Sequence, residues 1–295
     1  MFLSPAKINL GLKVLYKRSD GYHEIDSIFL RLNWGDEISF EPLPEVKFVL
    51  HSEVNLDPRS KKDYLSVSEH GNIEKNILYK TWLKALDLGC KKGVKILLKK
   101  KIPTGAGLGG GSSNSAELFR FLFPNEIGSN SFLKELSEVG ADVPFFWKQR
   151  HQRVRGIGEI LEDIFIPRGW GVLALTGYII STKDAFLSLK KTLHPPPPTE
   201  LWIKRKETKN FFSTWEEFRD FFLDLKNDFE PYVLELYPEL KVLRDYMEEL
   251  GFDYVSMTGT GSSFYGLTSQ QELAQDSVGK LSKKFPHHRF EIFQF

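Results

Sequence analysis

The chain is short of cysteine, of net charge and of long apolar runs, and each shortage removes a class of function. Cys90 is the single cysteine among 295 residues, so no internal disulfide can form. It reads as a small buried apolar residue of a protein in a reducing compartment. Forty basic residues stand against thirty-nine acidic ones, a formal charge of +1. That balance provides no general footprint for nucleic acid and no attraction to an anionic membrane. The apolar stretch WGVLALTGYII at 170–180 is too short for a membrane span and suits a buried strand. The start, MFLSPAKINL, places Pro5 and Lys7 where a signal peptide would carry its apolar segment. The reading is a cytoplasmic protein with no membrane and no nucleic-acid partner.

Hydrophobic residues make up 41% of the chain, enough for two cores. Strand-like pieces come first: KINLGLKVL, IDSIFLRL, DEISF and VKFVL, with the turn RSDGYHE among them. A polar excursion, HSEVNLDPRSKKDYLSVSEHG, follows, and helical spacing begins at Asn76. VKILLKKKI reads as a strand, and SAELFRFLF and SFLKELSEVG as helices. Beyond residue 150, GIGEILEDI and GWGVLALTG read as strands and HPPPPTE at 194–200 as a stiff connector. WEEFRDFFLDL and PELKVLRDYMEEL are amphipathic helices, and a strand–helix tail closes the chain. The expectation is an α+β protein of two domains, 1–150 and 151–295.

The stretch PTGAGLGGGSSN, residues 103–114, sits between an apolar strand and an amphipathic helix. Ordering so many glycines is costly, which asks for a compensating role. Gly105, Gly107 and Gly110 match G-x-G-x-x-G, but no second strand ending in an acidic residue follows the helix, so a dinucleotide site fails on context. A phosphate loop of the G-x-x-x-x-G-K-[ST] kind fails too, because Gly111 and Ser112 stand where Lys and Ser/Thr are required. What remains is a glycine loop opening a helix, either a structural turn or a cradle of free N–H groups for phosphate. Ser112 and Ser113 would add hydroxyl donors or a ligand for a phosphate-bound Mg²⁺.

SPAKINLGLKV near the start, PTGAGLGGGSSNSA in the middle and MTGTGSSFYG near the end resemble the three motifs of the GHMP kinase superfamily of small-molecule kinases. KRSDGYHEIDSIF at 17–29 and VGADVPFFW at 139–147 are similar, within it, to the 4-diphosphocytidyl-2-C-methyl-D-erythritol kinase family of non-mevalonate isoprenoid biosynthesis. EKNIL, GIGEIL and NDFEP fit the same family, and the order of motifs is unchanged along nearly the whole chain. The resemblance implies the two-domain GHMP kinase fold, its N-terminal part like a ribosomal-protein domain and its C-terminal part ferredoxin-like.

It also implies roles. Asp142 would be the general base for a substrate hydroxyl, and Lys7 would steady Asp142 and the attacking oxygen. Pro103, Thr104, Gly105, Ala106, Gly107, Leu108, Gly109, Gly110, Gly111, Ser112 and Ser113 would hold ATP, with Mg²⁺ as its companion. For the substrate, 4-diphosphocytidyl-2-C-methyl-D-erythritol, the resemblance implies His23 and Tyr22 at the cytosine, with Phe186 as a second stacking ring. Asn9 would meet the polyol or its diphosphate, and Thr258, Gly259, Thr260 and Gly261 would be further contacts. Two departures from the family loop are visible, Ser115 in place of alanine and Glu117, which reads as facing solvent. The run from Lys91 to Lys101 reads as a solvated basic face. Two alternatives stay open: another GHMP kinase acting on mevalonate, homoserine or a sugar, and a non-catalytic RNA-binding protein.

Overall fold

The computed structural model describes residues 1–54, 73–127, 129–189 and 210–295. The polar excursion beyond residue 54 and the connector HPPPPTE lie outside them. Two long strands form the backbone of the first half: β1 (Phe2–Lys17) and β2 (His23–Leu43). They pair antiparallel from Phe2↔Ile38 to Lys17↔His23 across a turn in which Gly21 has φ 88° and Asp20 accepts from Tyr22 N. IDSIFLRL and DEISF are therefore one continuous strand, not two.

The opposite edge of β2 is shared between two partners. β4 (Gly93–Lys100) pairs with residues 37–43, and β5 (Gln152–Gly156) pairs with residues 25–29. β3 (Phe48–Val54) runs parallel to β4, and β6 (Ile160–Asp163) antiparallel to β5. On this edge residues 30–36 of β2 meet no strand among the described residues. Both the loop leaving β4 and the chain entering β5 pass this gap. α1 (Ile77–Asp87), α2 (Gly110–Leu122), α3 (Leu133–Val139) and α4 (Val143–Lys148) pack on this sheet through a core that includes Phe119, Phe145, Trp147 and Cys90.

β5 and β6 extend the first sheet past residue 150, to Asp163. Polar residues hide β5 in the sequence: Arg153 is buried because it forms a two-pronged pair with the fully buried Asp26, 2.9 and 2.7 Å. The expected strand GIGEILEDI is broken by a turn at 157–159 between β5 and β6, where Gly156 and Gly158 take φ of 74° and 125°.

The second sheet holds β7 (Trp170–Leu175), β8 (Tyr254–Met257), β9 (Phe264–Thr268) and β10 (Arg289–Gln294) in the order β10-β7-β9-β8, every pair antiparallel. α5 (Thr182–Ser188), α6 (Trp215–Phe222), α7 (Glu230–Leu236) and α8 (Glu239–Glu249) lie between β7 and β8, and α9 (Gln271–Lys284) between β9 and β10. This is the ferredoxin-like arrangement. The halves share one core, in which Ile8, Leu10 and Ile28 of the first sheet join Phe218 and Phe222 of α6 and Tyr265 and Phe293 of the second sheet. The functional groups collect where β1 crosses that shared core.

Candidate active site

The glycine loop connects β4 to α2 through alternating left-handed residues: Gly105, Gly107 and Gly109 have φ of 72°, 77° and 70°. Side chains resist that conformation, whereas the turned backbone aims successive N–H groups towards one concave surface. Gly109 is the N-cap of α2, so the helix start adds its free amides and the positive end of its dipole. A cleft of about 440 Å³ runs along the loop from Pro103 to Ser112, with Lys75, Asn76, Ile77, Leu98, Lys100 and Asn114 on its other walls. Ser113 is fully buried, its Oγ 2.8 Å from Ser4 Oγ. Of the two serines, Ser112 lines the cleft.

The loop is locked against the third motif. A side chain on Gly107 would place Cβ 2.2 Å from the Thr258 carbonyl oxygen. Thr258 is fully buried, accepting from Asn9 N at 3.1 Å and donating within reach of Gly107 O at 3.2 Å and Asn9 Oδ1 at 3.3 Å. It therefore joins β1 to the loop. Gly259 and Gly261 turn the chain with φ of 59° and 95°, and Asn227 Nδ2 holds the turn by donating to Met257 O and Gly259 O, each at 2.8 Å. Thr260 is half-buried, its Oγ1 3.4 Å from Thr182 Oγ1 at the start of α5.

Lys7 and Asp142 meet at the head of the loop. Lys7 N donates to Leu108 O at 3.0 Å, pinning β1 to the loop where the β1–β2 register shifts. Its Nζ donates to Asn9 Oδ1 at 2.6 Å, lies 3.6 Å from Asp142 Oδ2, and sits 4.5 Å from the Phe29 ring centre. Burial lowers the Lys7 pKa below that of an ordinary lysine, and the Asp142 carboxylate opposes the shift. Asp142 is the N-cap of α4, yet its side chain makes no capping bond. Pro144 in the first turn has no N–H to cap, and the carboxylate is left facing Lys7. Asn9 is itself fixed, its Nδ2 donating to Ser27 Oγ at 3.1 Å and its carbonyl accepting from Tyr265 OH at 2.7 Å.

His23 and Phe186 come together from opposite halves of the chain, ring centres 4.6 Å apart and nearly parallel. Phe186 in turn meets Phe229 edge-on at 4.8 Å. Partial burial, with Lys17 nearby, lowers the His23 pKa below that of a free imidazole and favours the neutral ring. Tyr22 is 60% exposed at the turn and takes no part in this stack.

Several contributors were not singled out in the sequence: Lys100 and Asn114 on the cleft, Asn227 behind the third motif, and Phe146 beneath Gly109. Lys100 belongs to a lysine-rich strand read as solvated, but it is buried and bonded to Asp36 at 2.6 Å. Glu117 is buried as well, paired with Arg120, whose guanidinium also donates to Phe146 O.

Comparison with known proteins agrees with this geometry. The family model of the GHMP kinase N-terminal domain matches residues 76–147, and that of the GHMP kinase C-terminal region matches 208–287. A 4-diphosphocytidyl-2-C-methyl-D-erythritol kinase of Leptospira interrogans serogroup Icterohaemorrhagiae serovar copenhageni is 42% identical, covering 99% of this chain and 100% of that relative. The kinase of the same name from Leptospira biflexa serovar Patoc is 34% identical, over 99% and 98%. A crystal structure of 4-(cytidine 5'-diphospho)-2C-methyl-D-erythritol kinase superposes with a TM-score of 0.72 at 29% identity, covering 99% of this chain and 98% of that one. A glycine loop opening a helix, a buried lysine facing an aspartate and these full-length likenesses lead to one assignment: the chain belongs to the GHMP kinases, and within them to the 4-diphosphocytidyl-2-C-methyl-D-erythritol kinase family.

Proposed function

We propose that this enzyme transfers the γ-phosphoryl group of ATP to the 2-hydroxyl of 4-diphosphocytidyl-2-C-methyl-D-erythritol, giving the 2-phosphate and ADP. The observation that carries the reading is the position of the Lys7–Asp142 pair, joined to the glycine loop on one side and to Asn9 on the other. Phosphoryl transfer asks mainly for alignment and charge neutralisation. The loop amides and the α2 start would receive the ATP phosphates. Asp142 would take the hydroxyl proton as the new bond forms, since an alcohol does not ionise unaided at pH 7. The Lys7 ammonium, poorly solvated and aimed by Asn9, would stabilise the charge that builds on the oxygen.

Mg²⁺ fits this site as a companion of the phosphates rather than a resident of the protein. Among the described residues no three His, Cys, Asp or Glu side chains gather to hold a metal. Mg²⁺ bound to a nucleotide needs few protein ligands, and the hard oxygen of Ser112 suits it. When bound it would supply charge neutralisation at the phosphates. At the other end His23 and Phe186 would receive the flat cytosine, His23 by hydrogen bonding and Phe186 by stacking.

A phosphotransfer assay with the cytidyl substrate, mevalonate and homoserine in parallel, each with and without Mg²⁺, tests the reading. Turnover of the cytidyl substrate, preferred and Mg²⁺-dependent, is the expected result. Preference for either of the others would overturn the substrate assignment.

A further inference from the structure

A loop rich in glycine must be held at its ends if it is to present a fixed surface, and one carboxylate touches both ends of this one. Asp36 lies on β2 within the edge that no strand covers, and its side chain is fully buried. Its Oδ1 accepts from Lys101 N at 2.7 Å and Ile102 N at 2.8 Å, where the chain leaves β4. Its Oδ2 accepts from Asn114 Nδ2 at 2.9 Å, one turn into α2, and from Lys100 Nζ at 2.6 Å. The glycine loop is the segment between Ile102 and Asn114. Lys100 balances the buried charge, and Asn114 Oδ1 is buried without a hydrogen-bond partner, so Asn114 is held through Asp36.

We infer that Asp36 is the positioning residue of the nucleotide loop: its two oxygens fix the strand end and the helix start relative to one another. The carboxylate thereby sets affinity for ATP and leaves the His23–Phe186 end of the site unaffected. This rests on the reading that the loop holds ATP phosphates. Four donors on one buried carboxylate exceed what capping the strand end requires. The Asn114 donor adds nothing to the loop's entry and serves only to fix its exit, while Lys100, at the end of β4, balances the charge.

The test is an amide swap. In Asp36→Asn, either orientation of the amide turns an NH₂ against donors, so one arm of the clamp is lost. Asn114→Asp in the same chain restores an acceptor facing that NH₂ and keeps the net charge and the carboxylate beside Lys100. With ATP as the probe, calorimetric Kd and kinetic KM for ATP should rise about tenfold in Asp36→Asn, while KM for the cytidyl substrate changes less than about twofold. The double variant should recover most of that loss. Unchanged ATP affinity in Asp36→Asn, parallel rises in both KM values, or a double variant no better than the single would each overturn the inference. Should Asp36→Asn not fold, Asn114→Ala breaks the same arm and is read by the same split, unchanged ATP affinity again counting against the clamp. Wild-type protein that fails to bind ATP would instead remove the reading of the loop itself, and the clamp with it.

Discussion

Lys7 Nζ is hydrogen-bonded to Asn9 Oδ1 at 2.6 Å and stands 3.6 Å from Asp142 Oδ2, so the buried ammonium is aimed by a neutral amide and only loosely paired with the carboxylate. The division matters for chemistry. A carboxylate tightly bound to an ammonium is a poor base, whereas one held at the edge of hydrogen-bonding range keeps oxygen lone pairs for a substrate proton. Asp142 retains 29% side-chain exposure and makes no bond to its own helix, which leaves it open on the side away from Lys7.

Replacing that base isolates its contribution. Asp142→Asn keeps the shape of the N-cap but removes the proton acceptor, and turnover should fall at least about 100-fold. ATP should still bind, because the loop is built from other residues. Phosphotransfer rate and calorimetric ATP binding check the two halves of this expectation, and a near-normal rate would rule Asp142 out as base.

The alkaline limb of the rate profile should report Lys7. Burial pushes its pKa below the ordinary lysine value of 10.5, and Asp142 pulls it back. The ammonium is present below that depressed pKa and is lost as pH rises through it. Turnover should therefore decline at lower pH than an exposed lysine would dictate. In Asp142→Asn the raising partner is gone, so the limb of the residual activity should move further towards neutral. Profiles of kcat against pH for both proteins decide the matter, and a limb that does not move excludes Lys7 as the titrating group.

Three glycines of the loop share a left-handed φ but differ in what surrounds them. Gly105→Ala would meet only Ile179 Cγ2 at 3.9 Å, so its cost is the backbone strain of about 1–2 kcal/mol. Gly107→Ala would drive Cβ into the Thr258 carbonyl, and it should cost about 3 kcal/mol or more. Gly109→Val would press on the Phe146 ring and Lys7 Cγ, weakening ATP binding and lowering kcat through a displaced ammonium. Urea titrations rank the first two, and steady-state kinetics reads the third.

Part of this was legible in the chain and part was not, for identifiable reasons. The glycine loop, Lys7 and Asp142 carry their chemistry in short contiguous motifs, and the alternation in β1 and the tail strands announces buried strands directly. β5 did not read as a strand because Gln152, Arg153 and Arg155 look solvated. Arg153 is buried only because Asp26, far away in sequence, accepts both its prongs. Lys100 misled in the same way, its partner Asp36 being 64 residues away. Glu117 offered a local signal: Arg120 stands at the i+3 spacing of a helical ion pair. The same sequence logic placed Thr258 and Ser113 on the ligand, while the Thr258 hydroxyl joins β1 to the glycine loop and that of Ser113 joins β1 to α2.

The stacked rings of His23 and Phe186 give a test of the base-binding end. Phe186→Ala should raise KM for the cytidyl substrate roughly tenfold to a hundredfold, the scale of one base–aromatic stack, and leave KM for ATP unchanged. Tyr22→Ala should have the smaller effect, since Tyr22 stands at the exposed turn outside the stack. Equal effects on both nucleotide sites, or none, would move the cytosine elsewhere.

The last test concerns the hidden pair beneath the base. Glu117 and Arg120 retain 8% and 7% side-chain exposure, and Arg120 also donates to Phe146 O near the end of α4, the helix that carries Asp142 at its start. Removing one member of a buried pair strands the other, so Glu117→Ala should cost about 3–5 kcal/mol of stability. Arg120→Ala leaves Glu117 without its partner and frees the Phe146 carbonyl too. It should therefore lower kcat as well as stability, while KM for ATP stays near the wild-type value because Asp36 and the α2 start are untouched. Urea unfolding together with steady-state kinetics separates the outcomes: stability lost with kcat intact would show that α4, and Asp142 with it, is held by something other than this guanidinium.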